Sequence, residues 1–248
     1  MRLLIERVES NPKTKLMVGF TRRFDASYQD AKAKIEQGVI GRPLVVRSQG
    51  CERLDTSSFF KQYLKDSGGI FIDSIVHDID LALYWLGEDS LPKSVSSAGV
   101  AAIHKELEDD GDADNAVGIC EFWDGKIAFF FNTRTSAHGY DNQSEIFGTA
   151  GKLSVNLVPR LNRVEIADSD GFVKIEPTPS WYDRYKEAFV TEVISWVDAV
   201  LDDKPMPIPL RSSLTGLVIA QALQESLRTG KKIEFDRRSL QRKISSRL

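Results

Sequence analysis

Two residues with the chemistry of proton transfer, Asp73 and His77, lie four positions apart in the sequence. On an α-helix this spacing places two side chains one above the other, within reach of each other. A carboxylate beside an imidazole raises the histidine pKa and can fix its tautomer, which suits a general acid or base. An Asp–His pair that only stabilises a partly buried helix face has the same spacing, so spacing alone leaves both interpretations open.

A helix over residues 70–86 is predicted to carry this pair. Gly68 and Gly69 precede it and Gly87 follows it, and glycine is common where helices end. Between them apolar residues recur every three or four positions, as one buried helix face requires, at Phe71, Ile75, Ile79, Ala82, Leu83 and Leu86. The polar stretch before the helix, residues 53–67, contains several aromatic residues and is predicted to be a loop that borders a site.

Composition and charge argue against several classes of protein. The 248 residues allow one large domain or two small ones, and 42% apolar and 28% charged residues are ordinary for a globular protein. A net charge of −3 argues against a nucleic-acid or anionic-membrane partner for the body of the chain. Cys51 and Cys120 do not suggest a disulfide framework. His104 and His138 lack any Cys/His ligand spacing, so no metal site is predicted.

After the predicted helix the pattern changes to that of β-strands. Residues 93–103 and 115–123 are rich in small and β-branched residues, and Asp124-Gly125 predicts a hairpin because the tight turn needs positive φ. Further strands are predicted at residues 126–132, 142–147 and 152–156. Two amphipathic helices are predicted at residues 182–201 and 212–228.

Three motifs, in this order, resemble the glucose–fructose oxidoreductase / inositol dehydrogenase family. They are Gly-Phe-Thr-Arg-Arg-Phe-Asp at 19–25, Gly-Gly-x-x-x-Asp-x-x-x-His-Asp-x-Asp followed by Tyr-Trp-Leu-Gly at 68–87, and Gly-Tyr-Asp followed by Glu-Ile-x-Gly-Thr-x-Gly at 139–151. The resemblance covers roughly residues 15–235. It implies NAD(P)-dependent dehydrogenation of sugars or polyols. It also implies an α+β fold: a large open mixed or antiparallel sheet with helices on one face, preceded by the last helix–strand unit of a Rossmann domain.

The resemblance also assigns roles to individual residues. Asp73 and His77 match the family's catalytic carboxylate and histidine. Arg22 would point into the active-site cleft and hold substrate oxygens, while Arg23 is expected to pair with Asp25 or cap the neighbouring helix. Tyr140 would hydrogen-bond a substrate hydroxyl, although a tyrosine at the rim of a strand entrance is an equally common structural feature.

Two elements that the family would supply do not occur in these 248 residues. No Gly-x-Gly-x-x-Gly is present, and neither is the Glu-Lys-Pro segment that carries the family's third catalytic group, a lysine. Cofactor-binding residues are therefore not assigned, and NAD or NADP, expected for the family, is not expected to bind this chain alone. Inositol dehydrogenases are expected to carry a histidine just after the strand at residues 43–48. Here the segment reads Gln49-Gly50-Cys51-Glu52, which puts inositol itself in doubt.

The chain is predicted to have three regions. Residues 1–20 would be a remnant of the nucleotide-binding domain, namely its last helix at 2–9 and its last strand at 16–20. Residues 21–236 would form the substrate-binding and oligomerisation domain. Residues 237–248 form a basic tail with five cationic residues and no acid.

The predicted function is the substrate-binding half of an NAD(P)-dependent oxidoreductase acting on CH–OH groups, inactive without its nucleotide domain. The alternative is a non-enzymatic relic that binds a sugar-like ligand or a protein, and cofactor binding discriminates the two. Besides a sugar or polyol, the expected partner is a second copy bound through the sheet, with Phe129 and Phe131 in the contact. Neither a signal peptide nor a membrane-spanning run is predicted, which favours a cytoplasmic location. The C-terminal Ser246-Arg247-Leu248 resembles the Ser-Lys-Leu peroxisomal signal and offers an alternative.

Overall fold

A computed structural model describes residues 1–11, 13–158, 160–162, 164–167, 169, 173–237 and 239–241. The helices in these residues are α1 (Arg2–Glu9), a 3-10 turn (Thr21–Phe24), α2 (Ala26–Glu36), α3 (Ser58–Asp66), α4 (Ile70–Asp73), α5 (Val76–Leu86), a second 3-10 turn (Lys105–Glu108), α6 (Trp181–Leu201) and α7 (Leu210–Thr229). The strands are β1 (Pro43–Arg53), β2 (Pro92–Val100), β3 (Asn115–Phe122), β4 (Ile127–Ser136), β5 (Asp141–Gly148), β6 (Lys152–Val155), β7 (Glu165–Ala167), β8 (Val173–Ile175) and β9 (Ile233–Glu234).

Seven of the strands form one mixed sheet in the order β6-β5-β1-β4-β3-β2-β9, and β7 and β8 form a separate ribbon. Strand β1 runs parallel to β4 and antiparallel to β5, while the remaining neighbours in the large sheet are antiparallel. The predicted hairpin joins β3 to β4, and its Gly125 has φ +81°. The α+β fold with a large open mixed sheet is therefore confirmed.

One face of the sheet packs against α5 and α7. Phe130 on β4, Ile79 on α5 and Leu223 on α7 belong to the same buried cluster. The apolar residues that predicted the helix (Phe71, Ile75, Ile79, Ala82, Leu83 and Leu86) are all buried, as expected for a stripe that faces the core.

The other face of the sheet leaves apolar side chains exposed to solvent. Successive residues of a strand point to opposite faces, so Phe129 and Phe131 lie opposite the buried Ala128 and Phe130. Phe129 and Phe131 are half-buried, and the neighbouring exposed residues on this side are Val117, Ile119, Ile127 and Phe147. We call this surface the open face.

The helix predicted over residues 70–86 is divided in two, and the prediction of one helix is wrong. Helix α4 ends at Asp73 and α5 starts at Val76. Between them the N–H of Ile75 donates to the carbonyl of Ile70, five residues back rather than four, which widens the turn. The β-branched residues at this junction lower the preference for a regular helix. Asp73 and His77 therefore lie on different helices.

Two further predictions about local structure are wrong. The strand predicted at residues 16–20 does not form, because no described strand lies beside this segment to complete a ladder. The loop predicted at residues 53–67 contains helix α3. Its N-cap is Ser57, whose hydroxyl accepts a hydrogen bond from the N–H of Phe60. The helix predicted at residues 2–9 is present as α1. The proposed peroxisomal signal, Ser246-Arg247-Leu248, lies outside the described residues.

Gly69 allows the buried start of α4 to be capped from another helix. It has φ +110° and ψ 161°, a conformation that L-residues rarely adopt. The N–H of Ile70 donates to Asp112 (2.9 Å), and the N–H of Phe71 donates to the Gln224 side chain (3.2 Å). Gln224 in turn donates to Asp112 (3.1 Å). A Cβ at position 69 would lie 2.4 Å from Cδ of Gln224, so only glycine leaves room for this cap.

We expect Gly69→Ala to destabilise the protein by about 3 kcal/mol, since it adds backbone strain and displaces a buried hydrogen-bonded amide. Gly125→Ala is the matched control. Gly125 also has a positive φ, +81°, but nothing lies within 4 Å of a Cβ added there. The expected loss in the free energy of unfolding is therefore about 1 kcal/mol. Urea unfolding followed by circular dichroism measures both. Equal losses for the two variants would contradict the proposed packing of Gly69 against Gln224.

Candidate active site

The four residues predicted to form the site, Arg22, Asp73, His77 and Tyr140, all line one cavity of about 550 Å³. This volume lies in the range of small-molecule sites. Its wall is built by the segment around the first 3-10 turn, the end of β1, α3, the α4–α5 junction, the start of β5 and the first half of α6. The other lining residues are Gly19, Thr21, Glu52, Asp55, Phe59, Phe60, Tyr63, Ser74, Trp181, Tyr185 and Phe189. The aromatic stretch predicted to border a site does so through α3.

His77 lies at the start of α5 with a neutral imidazole. Burial, and then the positive charge of Arg22, lower the pKa of His77 to about 3. Its ring packs edge-on against Phe20, with the ring centroids 5.9 Å apart. The expectation that a neighbouring carboxylate raises this pKa is therefore wrong. A neutral imidazole has a free nitrogen lone pair at neutral pH, as proton abstraction requires.

Asp73 is held by groups other than His77. Its carboxylate accepts hydrogen bonds from the phenol of Tyr63 and from Nη2 of Arg134 (2.7 Å), whose side chain is 0% exposed. The break between α4 and α5 separates it from the imidazole, and no hydrogen bond links Asp73 to His77 among the described contacts. Each carboxylate oxygen has two lone pairs, so Asp73 can still accept from a ligand hydroxyl in the cavity.

Arg22 reaches the cavity while paired with an acid of α5. Its Nη1 donates to Oδ1 of Asp78 (2.9 Å), which also accepts from the hydroxyl of Ser48 (2.6 Å). The guanidinium carbon lies 5.8 Å from the ring centroid of Tyr185. One nitrogen is used by Asp78, so the others can donate to a ligand oxygen.

Arg23 is structural, as predicted, but Asp25 is not its partner. Its Nε and Nη2 donate to the two carboxylate oxygens of Asp80 (2.7 and 2.8 Å), a fork geometry that fixes the helix against the 3-10 turn. Burial raises the pKa of Asp80 to about 6, and the bonds from Arg23 oppose this rise. Asp25 instead caps α2 and pairs with Arg184 of α6.

Tyr140 is buried in the cavity wall at the entrance to β5. It forms an isolated β-bridge with Thr178, and its ring meets the Tyr185 ring edge-on at 6.5 Å. Burial raises the pKa of the Tyr140 phenol, so the hydroxyl keeps its proton and can both donate and accept. The structure thus combines both interpretations, since Tyr140 is a strand-entrance residue and also lines the cavity.

Several cavity residues were not predicted individually. Glu52 lies near the end of β1, in the segment where a histidine was expected, and burial raises the pKa of its carboxyl group. Tyr63 and Tyr185 come from α3 and α6. Helix amphipathicity could have indicated their inward positions, but their approach to the site depends on tertiary packing. Arg134, which holds Asp73, sits in a strand where its partner cannot be read from spacing.

The sequence spacing predicted no metal site. Among the described residues, one group of possible metal ligands comes together, Cys51, His138 and Asp141, and none of the three lines the cavity. No helix within the described part of the chain is long and apolar enough to cross a membrane. The cavity itself offers a neutral base, a cation and several hydroxyl-binding groups, a set suited to a polyhydroxylated ligand.

Several known proteins are similar to this chain in sequence. The family described as GFO/IDH/MocA C-terminal domain matches residues 28–154. Inositol 2-dehydrogenase of Rhizobium meliloti (strain 1021) is 33% identical over 229 residues, which are 92% of this chain and 68% of that protein. The scyllo-inositol 2-dehydrogenase (NAD(+)) of Bacillus subtilis (strain 168) is 33% identical over 219 residues, 88% of this chain and 62% of that protein.

A solved structure has the same fold. The scyllo-inositol dehydrogenase from Lactobacillus casei, with bound cofactor NAD(H) and scyllo-inositol, superimposes with a TM-score of 0.85 at 28% identity. The match covers 92% of this chain and 67% of that one. The chain spans about two thirds of the length of the curated relatives it matches, with shares of 68%, 63% and 64% for three of them.

The neutral state of His77 predicts how stability changes with pH. An unfolded histidine titrates near 6.5, whereas His77 in the folded protein titrates at about 3. The unfolded state therefore binds the proton first, and His77 lowers stability as pH falls below about 6.5, by up to about 1.4 kcal/mol per pH unit. We expect His77→Gln and His77→Asn to lose this slope, measured by urea unfolding between pH 7.5 and pH 5. A wild-type slope in both variants would show that another group causes the loss.

Proposed function

The chain belongs to the GFO/IDH/MocA C-terminal domain family, and from this premise we propose that it is the substrate-binding part of an NAD(P)-dependent oxidoreductase acting on the CH–OH group of a sugar or polyol. The single observation that carries the proposal is the neutral His77 in a cavity lined by further groups able to hydrogen-bond a hydroxyl, among them Arg22, Asp73 and Tyr140. Because relatives of this chain are inositol dehydrogenases, inositols are the first substrates to assay.

In the proposed reaction the His77 imidazole removes the proton of the substrate hydroxyl. A bound nicotinamide would supply the acceptor for the hydride that leaves the carbon bearing this hydroxyl. Arg22 opposes the positive charge that His77 gains, so His77 is expected to hold the proton only briefly. The lysine that the family carries in a Glu-Lys-Pro segment would share this proton transfer, and that segment does not occur in these residues.

Substrate orientation would come from three groups of this chain. Arg22 donates to hydroxyl oxygens, Tyr140 both donates and accepts, and Asp73 accepts. Asp73 is fixed by Arg134 and Tyr63, so it would orient the substrate rather than the imidazole. Rigid placement of such groups lowers the entropic cost of reaching the reactive geometry.

The nicotinamide cofactor fits this chain only in part. The cavity volume of about 550 Å³ leaves room for a ring beside a polyol. No Gly-x-Gly-x-x-Gly turn is present to hold the pyrophosphate. We therefore propose that residues 1–20 belong to a nucleotide-binding domain, that residues 21–236 bind substrate, and that the chain alone is inactive.

The exposed side of α6 suits the packing of such a domain. Val190, Val193, Ile194, Val197 and Leu201 recur at helical spacing and are all exposed. An apolar stripe of this kind on a monomer is costly unless another surface covers it. Helix α6 also lines the cavity with its first residues, so a domain seated here would face the substrate.

Self-association through the open face is also part of the proposal. An apolar sheet face is normally buried against a second layer, and among the described residues helices cover one face of this sheet while the open face keeps its apolar side chains exposed. Phe129 and Phe131 would lie in the contact with a second copy. The proposed location is the cytoplasm, and the peroxisomal alternative remains a prediction. The non-enzymatic alternative, a relic that binds a sugar or a protein, predicts ligand binding that does not respond to NAD(P).

The catalytic proposal is tested in a protein in which the nucleotide-binding domain of a relative precedes this chain. We expect polyol-dependent reduction of NAD(P), and His77→Ala should lower turnover by roughly two to four orders of magnitude, the usual contribution of a general base. The 248-residue chain alone should not bind NAD(P) at micromolar concentration in calorimetry. Turnover unchanged by His77→Ala would reject His77 as the general base. Tight cofactor binding by the chain alone would reject the proposal that a separate nucleotide-binding domain is needed.

The oligomer proposal predicts a dimer at micromolar concentration in sedimentation. Ile119→Glu on the open face should shift the equilibrium to monomer, because it places a charge in an apolar contact. Val193→Glu on α6 is the matched control, as it adds the same charge at an exposed apolar position in another place. A monomer in the unmodified protein, or dissociation by the control alone, would contradict the open face as the contact.

A further inference from the structure

A cysteine, a histidine and an aspartate meet where β1 ends and β5 begins in the large sheet, outside the cavity. Cys51 on β1 and Asp141 on β5 are directly opposite each other in the strand register. His138 lies in the connection between β4 and β5. One potential ligand atom from each residue lies within 4.8 Å of the other two. Gly50 faces Asp78 of α5, so strand alternation places Cys51 on the opposite, open face.

The hydrogen bonds of His138 determine which of its nitrogens carries a proton. Ser136 Oγ donates its proton to the carbonyl of Gly139 (2.8 Å), so towards Nδ1 of His138 (3.1 Å) it can only accept. Nδ1 therefore carries the hydrogen, and the neutral imidazole presents the lone pair of Nε2. That lone pair faces Oδ2 of Asp141 at 3.3 Å. Two acceptors at this distance need a cation between them, either a proton or a metal ion.

Asp141 is buried and only partly satisfied by hydrogen bonds. The side-chain amides of Gln49 and Gln143 donate to its Oδ2 (3.1 and 3.0 Å). Its other oxygen, Oδ1, is buried without a partner among the described residues. An unpaired carboxylate oxygen in the interior costs free energy that a cation would recover.

We propose that Cys51, His138 and Asp141 form a binding site for a divalent transition metal, with Zn²⁺ as the favoured ion. A thiolate, an imidazole and a carboxylate are the ligand types that zinc takes in proteins. The 3.3 Å between Nε2 and Oδ2 matches the edge of a tetrahedron with metal–ligand bonds of about 2.0–2.1 Å. The bond from Nδ1 to Ser136 is the outer-shell contact that orients metal-binding histidines. Water, or the Gln49 side-chain oxygen after rotation of the amide, completes the coordination.

A metal bound at this site would influence the cavity through the connection between β4 and β5. Residues 137–140 connect β4 to β5. Tyr140 lies between His138 and Asp141 in sequence, and of these three residues it alone lines the cavity. The His138 side chain is 61% exposed. The connection is already held by the bond from Ser136 to the Gly139 carbonyl and by the bridge between Tyr140 and Thr178, and a metal would add a further restraint. A metal bound to both neighbours would fix the position of the Tyr140 phenol. The inferred role is structural, and it does not depend on the proposed oxidoreductase activity.

The test uses the full 248-residue chain, freed of metal with a chelator and titrated with Zn²⁺ in calorimetry and with Co²⁺ in absorption. We expect one ion per chain at micromolar affinity or tighter, and a charge-transfer band from a cobalt–thiolate bond. His138→Ala changes an exposed connection and should fold normally. It should weaken binding by at least about 100-fold, the upper range seen when even an outer-shell partner is lost. Cys51→Ala should also abolish the charge-transfer band.

Cys120→Ala is the matched control, because it removes the other buried strand cysteine and should leave binding and the band unchanged. Equal Zn²⁺ affinity in the unmodified protein and His138→Ala would overturn the proposal, as would a cobalt complex without a thiolate band. Either result would mean that a proton, rather than a metal ion, bridges His138 and Asp141.

Discussion

The cavity depends on the ion pairs that the fully buried guanidinium of Arg134 makes. From β4 it reaches Asp73 at 2.7 Å and Asp112 at 3.4 Å. Removing such charges from water costs several kcal/mol per ion, which only good geometry and further hydrogen bonds offset. Asp112 supplies them, because it also accepts from the backbone of Ile70 and from Gln224 of α7. A strand, the start of a helix and a second helix therefore meet at one cation, and Asp73 takes its position in the cavity from that junction.

The two arginines of the first 3-10 turn have different roles: Arg22 lines the cavity, and Arg23 stabilises the surrounding structure. They are adjacent in sequence, yet Arg22 pairs with Asp78 at the cavity and Arg23 with Asp80 away from it. Both acids lie on α5, so the pairs hold the turn against the helix that carries His77. Burial lowers the pKa of that imidazole, and the nearby charge of Arg22 lowers it further. Arg22 thus contributes both to the neutral state of the base and to the attachment of its helix.

Much of this architecture could be predicted from local pattern. The buried stripe of α5, the hairpin at Asp124-Gly125 and the amphipathic helices follow from periodicity and turn chemistry. Motif resemblance grouped Asp73, His77, Arg22 and Tyr140, and all four line one cavity, while their roles stay predictions.

What could not be predicted depends on contacts between distant segments. The helix breaks after Asp73, next to a buried junction with Arg134 and Asp112. These three residues are far apart in the sequence, and no regular spacing between them indicates that they meet. The strand predicted at 16–20 had the right composition but lacks a neighbouring strand. Cys51, His138 and Asp141 have no ligand spacing in the sequence, because the pairing of β1 with β5 brings them together.

The central position of β1 has a consequence for how the chain acquires its fold. Val46 of β1 pairs with Ala128 on one side and with Ile146 on the other. During synthesis this strand leaves the ribosome well before either neighbour exists, with its backbone groups and apolar side chains unpaired. Pairings between distant parts of a chain close slowly, and exposed strand edges in the interval favour aggregation. Efficient folding in the cell is therefore expected to depend on chaperone protection of the N-terminal third until β4 and β5 have been made.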